Sequence, residues 1–392
     1  AQGARASTIR DINRQIVLNY VRDREPISRA EISREAELQR STVSTIVDEL
    51  VAEGLVEETG AGKSTGGRRP TLLRLRAAGA LAIGVTITPS YTTVATSDLA
   101  GRVLERESFE NSRRPDEMRS RIIRSVTEMA GRDGSDRIAG VGVSLPGLVD
   151  PDTGRAIYIP FFKWRDWPIA EEIEAATGLD VRVDNDANAA ALAELWFGRP
   201  EVNDSRDFIL VLVAEGIGTG IVFGGQIYRG EHGAAGEFGH MIVGVGQGAP
   251  VACSCGNLDC WEAFSSERAG VARYLKTIGA SGGTTSRIEF TELVERALGG
   301  EGAAIDALTE TAHYLGIGIS NLIVGLSPES VVVGGQITRA WSLVAATLEE
   351  AVRRSIRRGL PSARIVASTL GEPTLMGAIS LVLSRKFGLA EV

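Results

Sequence analysis

Three cysteines are all the chain has, and they lie within eight residues: Cys253, Cys255 and Cys260, the first of them thirteen positions beyond His240. Three thiolates and one imidazole are the ligand set of a closed tetrahedral zinc site, so the spacing predicts structural Zn2+ held by His240, Cys253, Cys255 and Cys260. Buried thiols without a metal are the plainer alternative. A disulfide framework is not one, because an odd count cannot pair completely and a Cys-x-Cys pair closes a loop too tight for relaxed geometry. Glu237 stands one turn before His240, and Glu262 follows Cys260 by two residues. Carboxylates beside a rigid metal clip suggest a fixed binding surface.

The elements that must carry such chemistry begin with a compact pattern near the start. From Thr8 to Val21, Ile9, Ile12, Ile16, Val17 and Tyr20 recur at helical spacing. Ser28 followed by Glu31 reads as a capping box that opens a short second helix. The stretch from Gln39 to Glu53 places Val43, Ile46, Val47 and Leu50 on one face and predicts a third. Strands at Leu55-Val56 and Thr71 to Leu75 flank a turn-rich tip from Gly60 to Gly67. Three helices and a hairpin form a winged helix-turn-helix. Its third helix exposes Gln39, Arg40, Ser41, Thr42, Ser44 and Thr45, which could reach base edges in a major groove. Arg68 and Arg69 near the wing tip could track phosphates or enter a narrow minor groove. Winged helices also serve as protein-protein modules; the arginines favour operator DNA.

Charge follows the same division. Residues 1 to 76 hold 13 Lys or Arg against 11 Asp or Glu, a balance of +2 within a chain of net charge −8. A mildly basic head on an acidic body suits a DNA-binding module joined to a regulatory part. At 392 residues, 43% hydrophobic and 23% charged, the chain is long enough for two or three domains and holds no apolar run of the length, about 20 residues, that a membrane span needs. No membrane insertion is expected. The polar opening from Ala1 to Arg10 lacks a signal-peptide core, and reduced metal-binding thiols point to the cytoplasm.

Beyond Ala77 the texture turns to strands with Gly-rich turns. Leu81 to Thr88, Thr92 to Asp98 and Val103 to Phe109 read as consecutive strands, followed by a helix near Met118 to Met129 and a strand at Gly140 to Ser144. A second such set starts at Phe208 to Val213 and Gly220 to Phe223, with a helix at Ala304 to Val324 and a buried strand at Ser330 to Val333. Two α/β units with a cleft between them fit this order, and their likeness suggests a duplication.

Several motifs together resemble the ROK family (repressors, open reading frames and sugar kinases) in its repressor branch. They are the run from Ser41 to Leu50, Ser64-Thr-Gly-Gly-Arg-Arg-Pro70, Leu145-Pro-Gly-Leu-Val-Asp150, Val183-Asp-Asn-Asp-Ala-Asn-Ala189, Gly233-Ala-Ala-Gly-Glu-Phe-Gly-His240 and Cys260-Trp-Glu262. The resemblance implies an α/β fold: an N-terminal winged helix-turn-helix joined to a bilobal actin/hexokinase-like (ribonuclease H-like) sugar-kinase fold. The division expected is a head at 1–76, a first lobe at 77–185 completed by a C-terminal helix at 374–392, and a second lobe at 186–373 with the zinc site and the oligomerisation surface. By resemblance, Gly147, Asn185, Asp186, Glu237, His240 and Glu262 are sugar contacts, Gly147 through its backbone. His240 then places one ring nitrogen on zinc and offers the other to a sugar hydroxyl. Without the resemblance, Val183 to Asn188 is equally a strand-to-helix turn capped by Asp and Asn. One departure concerns the sugar: family members often carry Pro-Asn before a Trp in the next loop, where this chain has Pro160-Phe161-Phe162-Lys163-Trp164. Phe161 can stack but cannot hydrogen-bond.

Kinase members hold ATP on an Asp-x-Gly-Gly-Thr loop. Here the matching place reads Thr86-Ile87-Thr88-Pro89-Ser90, with the aspartate and both glycines gone and proline removing an amide donor. The second phosphate loop, Ala214-Glu215-Gly216-Ile217-Gly218-Thr219-Gly220, puts an acidic side chain where a polyphosphate would sit. Asp186, the general base of kinase members, is then left only to bind. The expected function is a sugar-responsive repressor of carbohydrate-utilisation genes, a homodimer or homotetramer with a catalytically silent cleft. The alternative is an active ATP-dependent sugar kinase carrying a DNA-binding head.

Overall fold

The computed structural model describes residues 6–62, 69–133, 137–199, 202, 205, 207–244, 248–279, 288–356 and 363–387. At the start, α1 (Ala6–Arg24) leads through β1 (Ile27–Ser28) to α2 (Arg29–Glu35), α3 (Arg40–Ala52), β2 (Val56–Ala61) and β3 (Thr71–Leu75). The capping box is present: the Ser28 hydroxyl accepts from the Glu31 amide, and the Glu31 carboxylate accepts from the Ser28 amide at 2.9 Å. Val17, Leu18 and Val21 of α1 share a core with Val43, Ile46, Val47 and Leu50 of α3. The sheet has one strand more than the hairpin expected, because Ile27 and Ser28 pair with Leu73 and Leu72 in the order β1-β3-β2. Two residues are too few to show a period.

The body follows in chain order as β4 (Leu81–Ile87), β5 (Tyr91–Asp98), β6 (Val103–Glu110), α4 (Pro115–Asp133), β7 (Ile138–Leu145), β8 (Leu148–Asp150), β9 (Arg155–Ile159), β10 (Trp164–Trp167), α5 (Ile169–Thr177), β11 (Val181–Asn185) and α6 (Asp186–Phe197). Next come β12 (Phe208–Val213), β13 (Ile217–Phe223), β14 (Gln226–Ile227), α7 (Trp261–Ser265), α8 (Glu267–Thr277), α9 (Phe290–Leu298) and α10 (Gly302–Leu326). The chain closes with β15 (Ser330–Gly334), α11 (Trp341–Ser355), β16 (Arg364–Ala367) and α12 (Pro373–Phe387).

Two five-stranded sheets result, ordered β11-β7-β4-β5-β6 and β14-β13-β12-β15-β16. In each, three antiparallel strands run in sequence and two further strands join parallel on the other side of the first. The shared order is a structural duplication. Both sheets are buried, which is why β4, β7, β12 and β15 read as continuous apolar runs rather than alternating ones.

Small residues bring the central helices against the sheets. A Cβ on Gly142 of β7 would meet the Ala378 carbonyl of α12, and one on Gly84 of β4 would sit 2.9 Å from Ile379. On β13, a Cβ at Gly218 would stand 2.8 Å from Ala187, and one at Gly220 2.6 Å from Ala191, both on α6. A Cβ at Gly377 of α12 would meet the backbone of Ala189 on α6. We expect Gly377→Ala to destabilise the protein by about 1 to 3 kcal/mol through overpacking. The readout is the urea midpoint at unchanged m-value; an unaltered midpoint would show that α6 and α12 separate freely.

Candidate functional site

The corner between β11 and α6 is fixed from within. Asp184 is buried and accepts from Arg229 Nε at 2.8 Å and from Asn188 Nδ2 at 3.1 Å, while its other neighbour, the Asn185 amide, donates to it at 2.8 Å. Asn185 is the helix cap: its Oδ1 accepts from the amides of Ala187 and Asn188, and its Nδ2 donates to the Gly147 carbonyl at 2.9 Å. The capped-turn reading and the ligand reading therefore meet in one residue, whose second amide hydrogen is what it can offer a hydroxyl. Gly147 has φ +113°, and a Cβ there would meet the Tyr158 carbonyl, so the position demands glycine.

Asp186 occupies the first turn of α6. Its side chain keeps partial contact with solvent, yet protein crowds it from most directions. Burial pushes this carboxyl up to about 7; the Ala187 amide, 2.9 Å away, pulls it down, and the nearby Glu237 carboxylate adds to the rise. Burial also raises Glu237, with His240 opposing and Glu262 adding to the effect. Asp186, Glu237, His240 and Glu262 thus belong to one neighbourhood, joined to Gly147 through Asn185.

The segment from Gly233 to His240 lies flush on β13. A Cβ at Gly236, whose φ is +91°, would meet the Thr219 carbonyl, and one at Gly239 would meet that of Ile217. The following turn, Glu237–His240, presents His240 with its two ring nitrogens facing different partners. Nδ1 lies 3.3 Å from Cys253 Sγ, and Nε2 lies 3.5 Å from Glu237 Oε2. Cys253 and Cys255 sulfurs are 3.1 Å apart, Cys255 and Cys260 sulfurs 3.7 Å, and the four donor atoms fall within 4.8 Å of one another. Around a tetrahedral metal with bonds of about 2.3 Å, sulfurs would be separated by about 3.8 Å, so the donor set fits. Glu262 is buried beside it, accepting from Cys253 Sγ at 3.0 Å and from Ser254, with Arg268 3.7 Å away. Burial pushes the Cys253 thiol up, and Glu262 reinforces the shift. A bound cation reverses this by holding the thiolate.

The two degenerate phosphate loops face one another. Ser90 Oγ, in the β4–β5 turn, donates to Glu215 Oε1 at 3.3 Å in the β12–β13 turn, and Arg268 Nε donates to the Glu215 carbonyl at 2.7 Å. Burial raises the Glu267 carboxyl to about 8, with Glu215 adding to the effect.

In the head, Gln39, Arg40, Ser41 and Thr45 are exposed and Thr42 and Ser44 half-buried, all at the start of α3. Asp48, one turn beyond Ser44 and Thr45, is exposed on their side of α3 and pairs with Arg29 at 2.8 Å; Glu49 pairs with Arg10, and Glu53, just past the helix, with Arg14. Arg69 is exposed, and Arg68 lies outside the described residues. Phe161 is 37% exposed, and Phe162 stacks on Trp164 at 4.7 Å. His232 and His313, which the sequence leaves without a role, both reach the surface. Arg229 went unnoticed in the sequence: its partner lies 45 positions away and no motif includes it.

A double sheet of this order, a carboxylate-lined cleft and a winged helix define a kinase-like body with a nucleic-acid-binding head. The family model described as ROK family matches residues 81–385, one described as MarR family matches residues 16–65, and the chain belongs to the ROK family. It is 32% identical over 397 residues to the xylose repressor of Caldicellulosiruptor bescii, covering 98% of both chains. Among solved structures, a ROK family transcriptional regulator described as a homolog of the E. coli MLC protein superposes with a TM-score of 0.82 at 28% identity, over 97% of this chain and 98% of that one. A ROK family glucokinase from Streptomyces griseus, in complex with glucose and AMPPNP, gives a TM-score of 0.69 at 29% identity, over 77% of this chain and 99% of that one. Among the described residues no helix is long and apolar enough to cross a membrane.

Two outcomes test the site. Purified protein should carry about one transition-metal ion per chain, and Cys255→Ser should lose most of it by elemental analysis; a variant that keeps its metal removes Cys255 from the ligand set. For Asp186, a folded pKa of about 7 against about 3.9 unfolded means the folded state binds more protons between these values, so stability falls as pH rises through that window. Asp186→Asn should therefore gain melting temperature relative to wild type at pH 8 compared with pH 5. Equal differences at both pH values would place the carboxyl in ordinary surroundings.

Proposed function

We propose that this chain is a sugar-responsive, DNA-binding transcriptional regulator, a repressor of carbohydrate-utilisation genes acting in the cytoplasm. Residues 1–76 form its DNA head, 77–185 with the C-terminal helix one lobe, and 186–373 the other. The observation that carries the reading is a winged helix with an uncovered α3 face joined to a kinase-like cleft whose phosphate loops are bridged by Ser90 and Glu215. The cleft keeps the means to hold a sugar and has lost the means to hold a phosphate donor.

In this reading Asn185, Asp186, Glu237, His240 and Glu262 recognise hydroxyls of a monosaccharide, and the Gly147 backbone approaches the ring. Zn2+ on His240 Nδ1 and the three thiolates is structural, since four protein ligands leave no open position. When bound, it neutralises the thiolates and fixes the His240 ring, so that Nε2–H points towards Glu237 and the cleft. One head reads too few base pairs for useful specificity, so a homodimer or homotetramer presents two heads to two half-sites. Sugar occupancy alters operator affinity by differential binding to the two arrangements of the heads.

The test uses a duplex selected by the protein from a random-sequence pool. Its affinity should fall by at least several-fold when D-xylose or D-glucose is added, and Arg40→Ala should weaken it by about 1 to 3 kcal/mol without sugar. Selection that enriches no duplex, or conversion of either sugar to a phosphate ester with ATP and Mg2+, sinks the reading.

A further inference from the structure

The helix that begins with Asp186 ends beside the DNA head. Along α6, Asp186 is the first residue and Trp196 the last but one, about 15 Å apart along the axis at 1.5 Å per residue. Between them Ala187, Ala189, Ala190, Ala191 and Ala193 are fully buried. They meet Gly218 and Gly220 of β13 on one side and Gly377 of α12 on the other. Neither contact contains a long side chain that could change rotamer and absorb a displacement, so this close-packed helix moves as a block.

At its far end the Arg22 guanidinium lies over the Trp196 ring, 4.0 Å from the centroid. Arg22 is in the last turn of α1. The other end of the relay is equally firm: α1 and α3 share a core, and Arg10 and Arg14 pair with Glu49 and Glu53 across them. Phe197 and Met376 pack against the same apolar cluster as Val17, Leu18 and Val21, so the head leans on the body rather than hanging from a linker.

We propose that α6 is the rod by which the cleft sets the position of the DNA head, and that Arg22 stacked on Trp196 is its joint. This rests on the reading that a sugar binds at Asp186. A sugar drawn to Asp186 pulls or tilts α6 at its N-terminus, and the Trp196 ring shifts beneath the guanidinium. A cation over an aromatic face suits such a joint: it is attractive without the narrow angular demand of a hydrogen bond, so it holds one head position and yields to a small slide. The apolar cluster around Phe197 keeps the head attached while the joint loosens.

The experiment uses the full chain, the selected duplex, and D-xylose and D-glucose as probes. Operator affinity is measured with and without sugar by fluorescence anisotropy, and sugar affinity by calorimetry, for wild type, Arg22→Met, Arg22→Lys and Trp196→Leu. In Arg22→Met and Trp196→Leu the sugar affinity should stay within about twofold of wild type, while the sugar-induced change in operator affinity shrinks roughly two- to fivefold, the size of one cation–π contact. Arg22→Lys, which keeps the cation, should restore most of the response; a merely structural arginine would give no such rescue. A response unchanged in both Arg22→Met and Trp196→Leu, with sugar binding intact, overturns the rod. A wild-type operator affinity indifferent to both sugars instead counts against the effector reading itself, and the rod falls with it.

Discussion

The arrangement depends on how closely α6 can approach its neighbours. Five of its eight buried residues are alanines, and β13 and α12 answer them with Gly218, Gly220 and Gly377. Such close packing leaves no room for an added methyl group between the helix and its neighbours, so α6 keeps its contacts as one rigid piece. Everything of interest in the cleft is referred to that position. Asn185 caps the helix, Asp186 opens it, and the buried Asp184 with Arg229 holds the strand that delivers both.

The His240 and cysteine cluster solves a different problem. Gly233 to His240 has little side-chain packing of its own; its conformation is dictated by glycines pressed on β13, including Gly236 in the left-handed region. Such a segment gains order from outside. The three cysteines gathered at His240 Nδ1 supply it, and the opposite ring nitrogen faces Glu237. Placing Glu262 against Cys253 ties the second carboxylate to the same cluster. Asp186 on helix α6 and Glu237, His240 and Glu262 around the cysteines are thereby brought into one neighbourhood. The cost is carboxyls held out of water, seen in Asp186 and Glu237, which burial raises first and neighbouring carboxylates raise further.

Much of this was legible in the sequence where the signal is local. Period and capping marked α1 to α3, and the exposed positions of α3 followed from its buried ones. Strand texture marked β4 to β7, β12, β13 and β15 but not β11, β14 or β16, and the cysteine spacing marked the donor set. Pairings between distant residues left no local trace. Arg22 and Trp196 are 174 positions apart and neither lies in a motif. The strand at Ile27–Ser28 exists only because β3 offers it an edge. Pro89 and Glu215 declared the loss of phosphate binding by composition, but not that Ser90 and Glu215 would meet.

That meeting bears on how a cleft of this kind becomes a sensor. In a kinase the binding of sugar assists closure over a second substrate, so part of the binding energy is spent on chemistry. Here the β4–β5 and β12–β13 turns meet directly through Ser90 and Glu215. A sugar can then shift the protein only by the difference in its affinity for two arrangements of the same chain. Such a difference is useful if something beyond the cleft distinguishes those arrangements. The head does, because its own core runs into Leu375, Ile379, Val382 and Leu383 of α12 and its first helix rests on Trp196 of α6. A head tethered by a flexible linker would be indifferent to the cleft; one whose core is continuous with the body must follow it.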